Sequence, residues 1–244
     1  MKQLKLLVAT LAMGVSMSAN AETGWIGQGE AGINFASGNS ESENANIGLN
    51  FANIGKIYEN EFGFDYIKSS NDDVDSAESL AAKYRLKRKL SERHYLFGLA
   101  SYLDDDFDGF TEQVSVAAGY GYKLFTPDPL AWDIGIGVGY RDTSELFIQE
   151  DGSELEGEDV SGATLVLFSD YTFKISKSTD FVNKFIAEIG SDNTYIESDS
   201  ALVVGINNAF ALKLGVLVRH NTDPAEGADD TDTFTSANLV YNFK

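Results

Sequence analysis

Between Ala131 and Asp142 the chain reads AWDIGIGVGYRD, and from Trp132 to Tyr140 large apolar residues alternate with glycine or a charged residue. A period of two marks an extended strand with two unlike faces. One face carries Trp132, Ile134, Ile136, Val138 and Tyr140; the other carries Asp133, Gly135, Gly137, Gly139 and Arg141. The alternation recurs twelve times and predicts strands over 25–37, 44–53, 57–68, 78–90, 94–103, 110–123, 131–141, 161–174, 180–190, 200–210, 212–220 and 233–243. Each is close to the roughly ten residues that a tilted strand needs to cross a bilayer. Pro127, Pro129 and Pro224 fall between strands, where a missing N–H breaks no ladder. The pattern contains no heptads, no long amphipathic helix and no interdomain linker.

The connectors alternate in length. Short ones lie at Asn53–Lys56, Ser91–Arg93, Leu124–Leu130, Ile175–Thr179 and Ala211. Long ones lie at Gly38–Glu43, Ser69–Ala77, Asp104–Gly109, Asp142–Val160, Ser191–Asp199 and Asn221–Asp232. The six long connectors hold 25 acidic residues and no Lys or Arg. The short-turn end carries Lys56, Arg88, Lys89, Arg93, Lys123, Lys174, Lys177, Lys213 and Lys244 against Glu92, Asp128 and Asp180. Short turns at one end and long loops at the other is the plan of an outer-membrane barrel. The sorted charge supports that plan independently of the alternation.

The fold expected is therefore all-β: a transmembrane, antiparallel, up-and-down barrel of about twelve strands in a bacterial outer membrane. The apolar face, including Ile33, Ile47, Phe62, Leu80, Val116 and Ile136, is assigned to lipid. A Lys or Arg there would cost about 2–4 kcal/mol at the midplane. Aromatics collect at the short-turn end: Trp25, Phe51, Tyr58, Tyr95, Tyr120, Tyr122, Trp132, Tyr171, Phe173, Phe181, Phe210, Tyr241 and Phe243. They read as an interfacial girdle. A soluble lipocalin-like barrel would have to bury the apolar face and expose the charges of strands three and four. The sorted connectors argue against it.

The inward face is small or polar. Its charge ladder comprises Glu30, Glu59, Glu61, Asp65, Lys83, Arg85, Lys87, Asp133 and Arg141. Strands three and four are hairpin partners, so acids should face bases across them. Gly119, Gly121, Gly135, Gly137 and Gly139 also point inward, which permits tight curvature, close approach of other side chains, or room for a solute. Val166, Phe168, Val182 and Ile186 would make part of the lumen apolar, against a wide aqueous channel.

Length and composition refine this picture. The chain has 244 residues, no Cys and a formal charge of −20. The absence of Cys excludes disulfides and thiol chemistry, and the acidity disfavours nucleic-acid binding. Residues 1–21 have a basic start at Lys2 and Lys5, a short apolar core at Leu6–Val15 and the small-x-small site Ala19-Asn20-Ala21. They read as a cleaved signal peptide, leaving 22–244 as the barrel. The apolar core is too short for a spanning helix.

Trp25–Phe51 reads WIGQGEAGINFASGNSESENANIGLNF, the middle is aromatic-alternating and the chain closes on YNF before Lys244. These three places resemble the YdiY-like family of salt-induced outer-membrane proteins. The resemblance implies a porin-like outer-membrane barrel across the mature chain and brings no catalytic or ligand residues. Tyr241 and Phe243, on one face of the last strand, resemble the C-terminal signal recognised by barrel-assembly machinery. Asn238 stands where that signal has glycine, and Lys244 follows the aromatic.

Asp104, Asp106 and Asp108, followed by Gly109, match the start of a calcium loop, but Ser115 holds the place of the closing Glu. Candidate cation-binding loops are Asp104, Asp106 and Asp108; Glu150, Asp151 and Glu154; and Asp229 and Asp230. Carboxylates there could take Ca²⁺ or Mg²⁺ loosely and bridge to lipopolysaccharide phosphates. No other cofactor is expected. The only histidines, His94 and His220, lie at opposite ends of the wall, and there is no G-x-S-x-G, so an enzyme is not expected. The function expected is a narrow, passive, cation-preferring channel or an envelope-stability protein. The alternative is a non-conducting barrel whose acidic loops bind divalent cations, lipopolysaccharide or a protein. Strand number does not choose, because eight strands enclose a filled lumen and sixteen a channel.

Overall fold

The computed structural model describes residues 24–37, 42–71, 74–105, 110–125, 129–148, 154–191, 193–224 and 229–243. The strands are β1 (Gly24–Ser37), β2 (Ser42–Ile54), β3 (Tyr58–Asn71), β4 (Val74–Lys89), β5 (His94–Asp105), β6 (Phe110–Phe125), β7 (Leu130–Ile148), β8 (Glu154–Lys174), β9 (Thr179–Ile189), β10 (Thr194–Gly205), β11 (Phe210–Asn221) and β12 (Thr231–Phe243). Each is antiparallel to its chain neighbours, and β12 returns to β1 to close the barrel. Closure satisfies the backbone groups that lipid cannot.

The assigned faces hold. Apolar side chains cover the outside, with Val138 71% and Ile33 55% exposed. At the short-turn end their rings form two arcs. One runs Phe51–Phe243–Tyr241–Phe210 across β2, β1, β12 and β11. The other runs Phe125–Trp132–Tyr171–Phe181 across β6 to β9. Tyr95 does not belong to this girdle. It lies on the inward parity of β5 and is 1% exposed, inside the lumen. Short turns are tied by polar side chains: Ser91 Oγ accepts from His94 N at 3.1 Å, and Asn207 Oδ1 accepts from Ala209 N and Phe210 N at 2.9 and 3.0 Å.

Three regions depart from the expected boundaries. The expected connector at Ser69–Ala77 is mostly paired strand, with β3 running to Asn71 and β4 starting at Val74, because polar residues pair through the main chain as well as apolar ones do. β10 begins at Thr194, six residues before its expected start, and its turn to β11 is 206–209; Ala211 is a buried strand residue. The alternation failed there because β10 turns Tyr195, Glu197 and Asp199 inward and Ser198 and Ser200 outward. Asn207 and Asn208 make the turn instead. The expected connector at Asp142–Val160 is largely a ribbon, in which β7 and β8 pair as far as Ile148 and Glu154. Its acids mimic a loop, but alternating main-chain bonds need no apolar face once strands rise clear of the barrel.

Candidate functional site

The lumen gathers most of the protein's buried charge. β4 is its positive spine, with Lys83, Arg85, Lys87 and Lys89 on one face. The β3–β4 register sets Glu59 opposite Lys87 and Glu61 opposite Arg85. The closest pairs are diagonal: Glu59 to Lys89 at 2.7 Å and Glu61 to Lys87 at 2.8 Å. Lys123 of β6 also approaches Glu59, at 3.6 Å.

The spine also reaches away from its hairpin partner. Lys87 meets Asp133 of β7 at 3.1 Å, Arg85 is paired with Asp170 of β8, and Lys83 with Glu197 of β10. β4 and β10 are six strands apart in a ring of twelve, so this last pair spans the lumen. Arg219 of β11 and Asp105 of β5 form a second pair across half the circumference, with side chains 4% and 0% exposed. Arg219 Nε also lies 3.6 Å from Glu197, linking the two crossings. Arg141 lies within 4.0 Å of Glu188, and its Nη2 donates to Asn193 O at 3.0 Å. Ser115 donates to the same Glu188 at 2.8 Å. A cavity of about 30 Å³ between these groups, lined by Lys83, Gln113, Arg141, Glu188 and Glu197 among others, has room only for water-sized guests.

Nearer the short turns the lumen is filled by rings. Tyr95, Phe97, Leu99 and Phe168 form one cluster, with Phe97 and Phe168 edge to face at 5.0 Å. The register sets Tyr95 opposite Gly121, Phe97 opposite Gly119 and Phe168 opposite Gly135. A Cβ at Gly121 would lie 2.2 Å from the Tyr95 ring, and one at Gly135 2.1 Å from the Phe168 ring. Thus Gly119, Gly121 and Gly135 admit side chains from the adjoining strands. The rings also carry cations: Arg85 lies 4.5 Å from the centroid of Phe168 and Lys87 Nζ 5.2 Å from that of Tyr95. Such contacts contribute about 0.5–2 kcal/mol each.

Of the expected ladder, Glu30, Glu59, Glu61, Lys83, Arg85, Lys87, Asp133 and Arg141 all form ion pairs. Asp65 forms none among the described residues. Sequence reasoning missed Asp105, Asp170, Glu188, Glu197, Asp199, Lys213 and Arg219. Asp170 and Glu188 share the inward parity of Phe168 and Ile186, which was the usable signal. Asp105, Glu197, Asp199 and Asp232, expected in external loops, lie on the lumen parity of their strands. Among the candidate cation loops, Asp104 sits on β5 and accepts from Tyr102 at 3.4 Å, Glu154 opens β8, and Asp230 accepts from Thr231 at 2.8 Å. Asp106, Asp108, Glu150 and Asp151 lie outside the described residues, as does the expected signal peptide. Ser115, at the loop's closing position, is in the lumen. His220 Nδ1 meets Thr231 Oγ1 at 2.8 Å. Because that hydroxyl donates to Asp230, the ring nitrogen donates to it and is not placed as its base.

The fold is that of known outer-membrane barrels. The translocator domain of autotransporter NalP from Neisseria meningitidis is 12% identical with a TM-score of 0.53, covering 99% of this chain and 94% of that one. The NanC porin is 8% identical with a TM-score of 0.53, covering 88% and 100%. "Uncharacterized protein YdiY" of Escherichia coli (strain K12) is 32% identical over 179 residues, 71% of this chain. The match spans 66% of that protein's length. Residues 29–243 match the family described as "Protein of unknown function, DUF481", to which this chain therefore belongs.

Proposed function

We propose that the protein is a narrow, passive outer-membrane channel that passes water and small cations and is held at low conductance by its own ion pairs. The carrying observation is that Lys83–Glu197 and Asp105–Arg219 cross the lumen at a level whose lining is charged. A lumen meant only to be closed is served by apolar filling, which is often as stable as a buried ion pair. The exposed acids Glu112, Asp142, Asp223, Asp229 and Asp230 at the long-loop end favour cations at the mouth. In this reading a cleaved signal peptide directs export, the short turns face the periplasm and the acidic loops face outward. Tyr241 and Phe243 on the closing strand offer assembly machinery its signal. Divalent cations bridging the outer acids to lipopolysaccharide are a second role for the same loops.

The test is single-channel conductance of refolded 22–244 in planar bilayers. Small, cation-selective steps are expected. Lys83→Met together with Arg219→Met should enlarge them several-fold and sharpen selectivity. Silence from both proteins, each shown folded, would overturn the channel reading and leave the loops as the working surface.

A further inference from the structure

On the lipid face of the wall, the outward row Tyr122–Ile134–Ser169–Phe185 runs in register across β6, β7, β8 and β9. Ser169 is its one small member. The outward residues before and after it on β8, Leu167 and Tyr171, are large, so the surface sinks at Ser169. The result is a groove of about 470 Å³ between Tyr120, Tyr122, Ile134, Ile136, Leu167 and Phe185. Gly135 and Phe168 belong to the inward face and still border it, so it reaches down to the inner layer of the wall. Its volume falls within the roughly 300–1,000 Å³ of small-molecule sites. The Ser169 oxygen is engaged by Trp132 Nε1, which donates to it at 2.9 Å.

His94 of β5 packs against the tyrosine edge of this groove. Its ring centroid lies 4.8 Å from that of Tyr122 and 5.8 Å from that of Tyr120. Nδ1 is paired with the Tyr120 hydroxyl, and Nε2 has no partner among the described residues. Arg93 comes just before His94, in the turn between β4 and β5. Its carbonyl accepts at 2.9 Å from the backbone N of Lys123, the residue after Tyr122. Glu92 and Arg93 are exposed and form no ion pair among the described residues. The neighbouring lumen bases Lys87, Lys89 and Lys123 are all paired with acids. A free guanidinium at a membrane interface is matched by a lipid phosphate.

We infer that this groove and the β4–β5 turn form a binding site for one glycerophospholipid of the leaflet at the short-turn end. An acyl chain lies in the groove, and Arg93 with His94 takes the phosphate. Glu92 leaves the turn neutral and answers the ammonium of a phosphatidylethanolamine headgroup. Inside a bilayer the chain gains no hydrophobic free energy from the groove, so shape and headgroup contacts together hold the lipid. The site rests on the barrel's membrane placement proposed above and not on conduction.

The test is native mass spectrometry of refolded 22–244 in detergent, titrated with dioleoylphosphatidylethanolamine. The unaltered protein should retain one lipid ahead of any others. Arg93→Gln should weaken that retention about fivefold. Ser169→Phe fills the groove from the lipid side, touches no charge, and should weaken it by a similar factor. Lys56→Gln removes an exposed base from the β2–β3 turn at the same end and should leave it unchanged. Circular dichroism checks that each barrel is folded. Equal retention by the Ser169 variant and the unaltered protein would overturn the groove. Equal losses in the Lys56 and Arg93 variants would overturn the site in favour of a diffuse basic belt. Tighter retention of phosphatidylglycerol would overturn the headgroup assignment. None of these readings involves conductance, so the channel proposal stands or falls separately.

Discussion

Gly121 and Gly48 face the same lumen from different walls and are covered by opposite chemistry. Over Gly121 lies the Tyr95 ring; over Gly48 lie two carboxylate oxygens. The β5–β8 wall uses glycine to admit flat aromatic groups and so builds dry packing. The β1–β3 wall and β12 use it to bring oxygen atoms together. One backbone device thus yields a plug on one side and a polar site on the other, and the side chain across the register decides which.

The largest effect should come from the charge shared between these walls. Arg219→Met leaves Asp105, whose side chain is 0% exposed, buried beside an apolar group. It should cost about 3–5 kcal/mol in urea unfolding of the refolded barrel. Adding Asp105→Leu should restore much of that loss; failure to do so would mean that the pair is not the unit that matters. Next, Phe168→Ala removes the ring that covers Gly135 and supports Arg85, and should cost about 3–5 kcal/mol by the same measurement.

The glycines sharpen the contrast. Gly121→Ala drives a methyl into Tyr95 and should destabilise by about 1–3 kcal/mol. Gly98→Ala meets nothing within 4 Å and should be close to neutral. Equal effects at the two positions would show that the Tyr95 ring can move aside. The smallest effect lies on the wet wall. Asp65→Asn relieves repulsion with Glu30 and should stabilise by about 0.5 kcal/mol in the same urea unfolding, a modest gain because Asp65 is open to water.

Most of the barrel was legible because lipid enforces a strict rule on alternate residues. Ile134, Ile136 and Val138 face outward wherever the strand ends, so parity survives errors in its boundaries. Tyr95 escaped because an aromatic near a short turn satisfies the girdle pattern from either face, and only its parity, odd with Phe97 and Leu99, separates the two. Glu197 and Asp199 escaped because an inward carboxylate and a loop carboxylate look alike in one dimension. The turn at Asn207–Asn208 was the local signal that would have moved them.

Strand count, the two faces and the acidic and basic rungs of β3 and β4 are written in the chain itself. Alternation and turn chemistry act between near neighbours and are written locally. Which charges meet is set by the closed barrel: Lys83 with Glu197, Arg219 with Asp105, and Glu30 beside Asp65. Those partners lie on strands brought together by closure and stagger of the barrel, and the electrostatic energy of a pair depends on distances that periodicity does not contain.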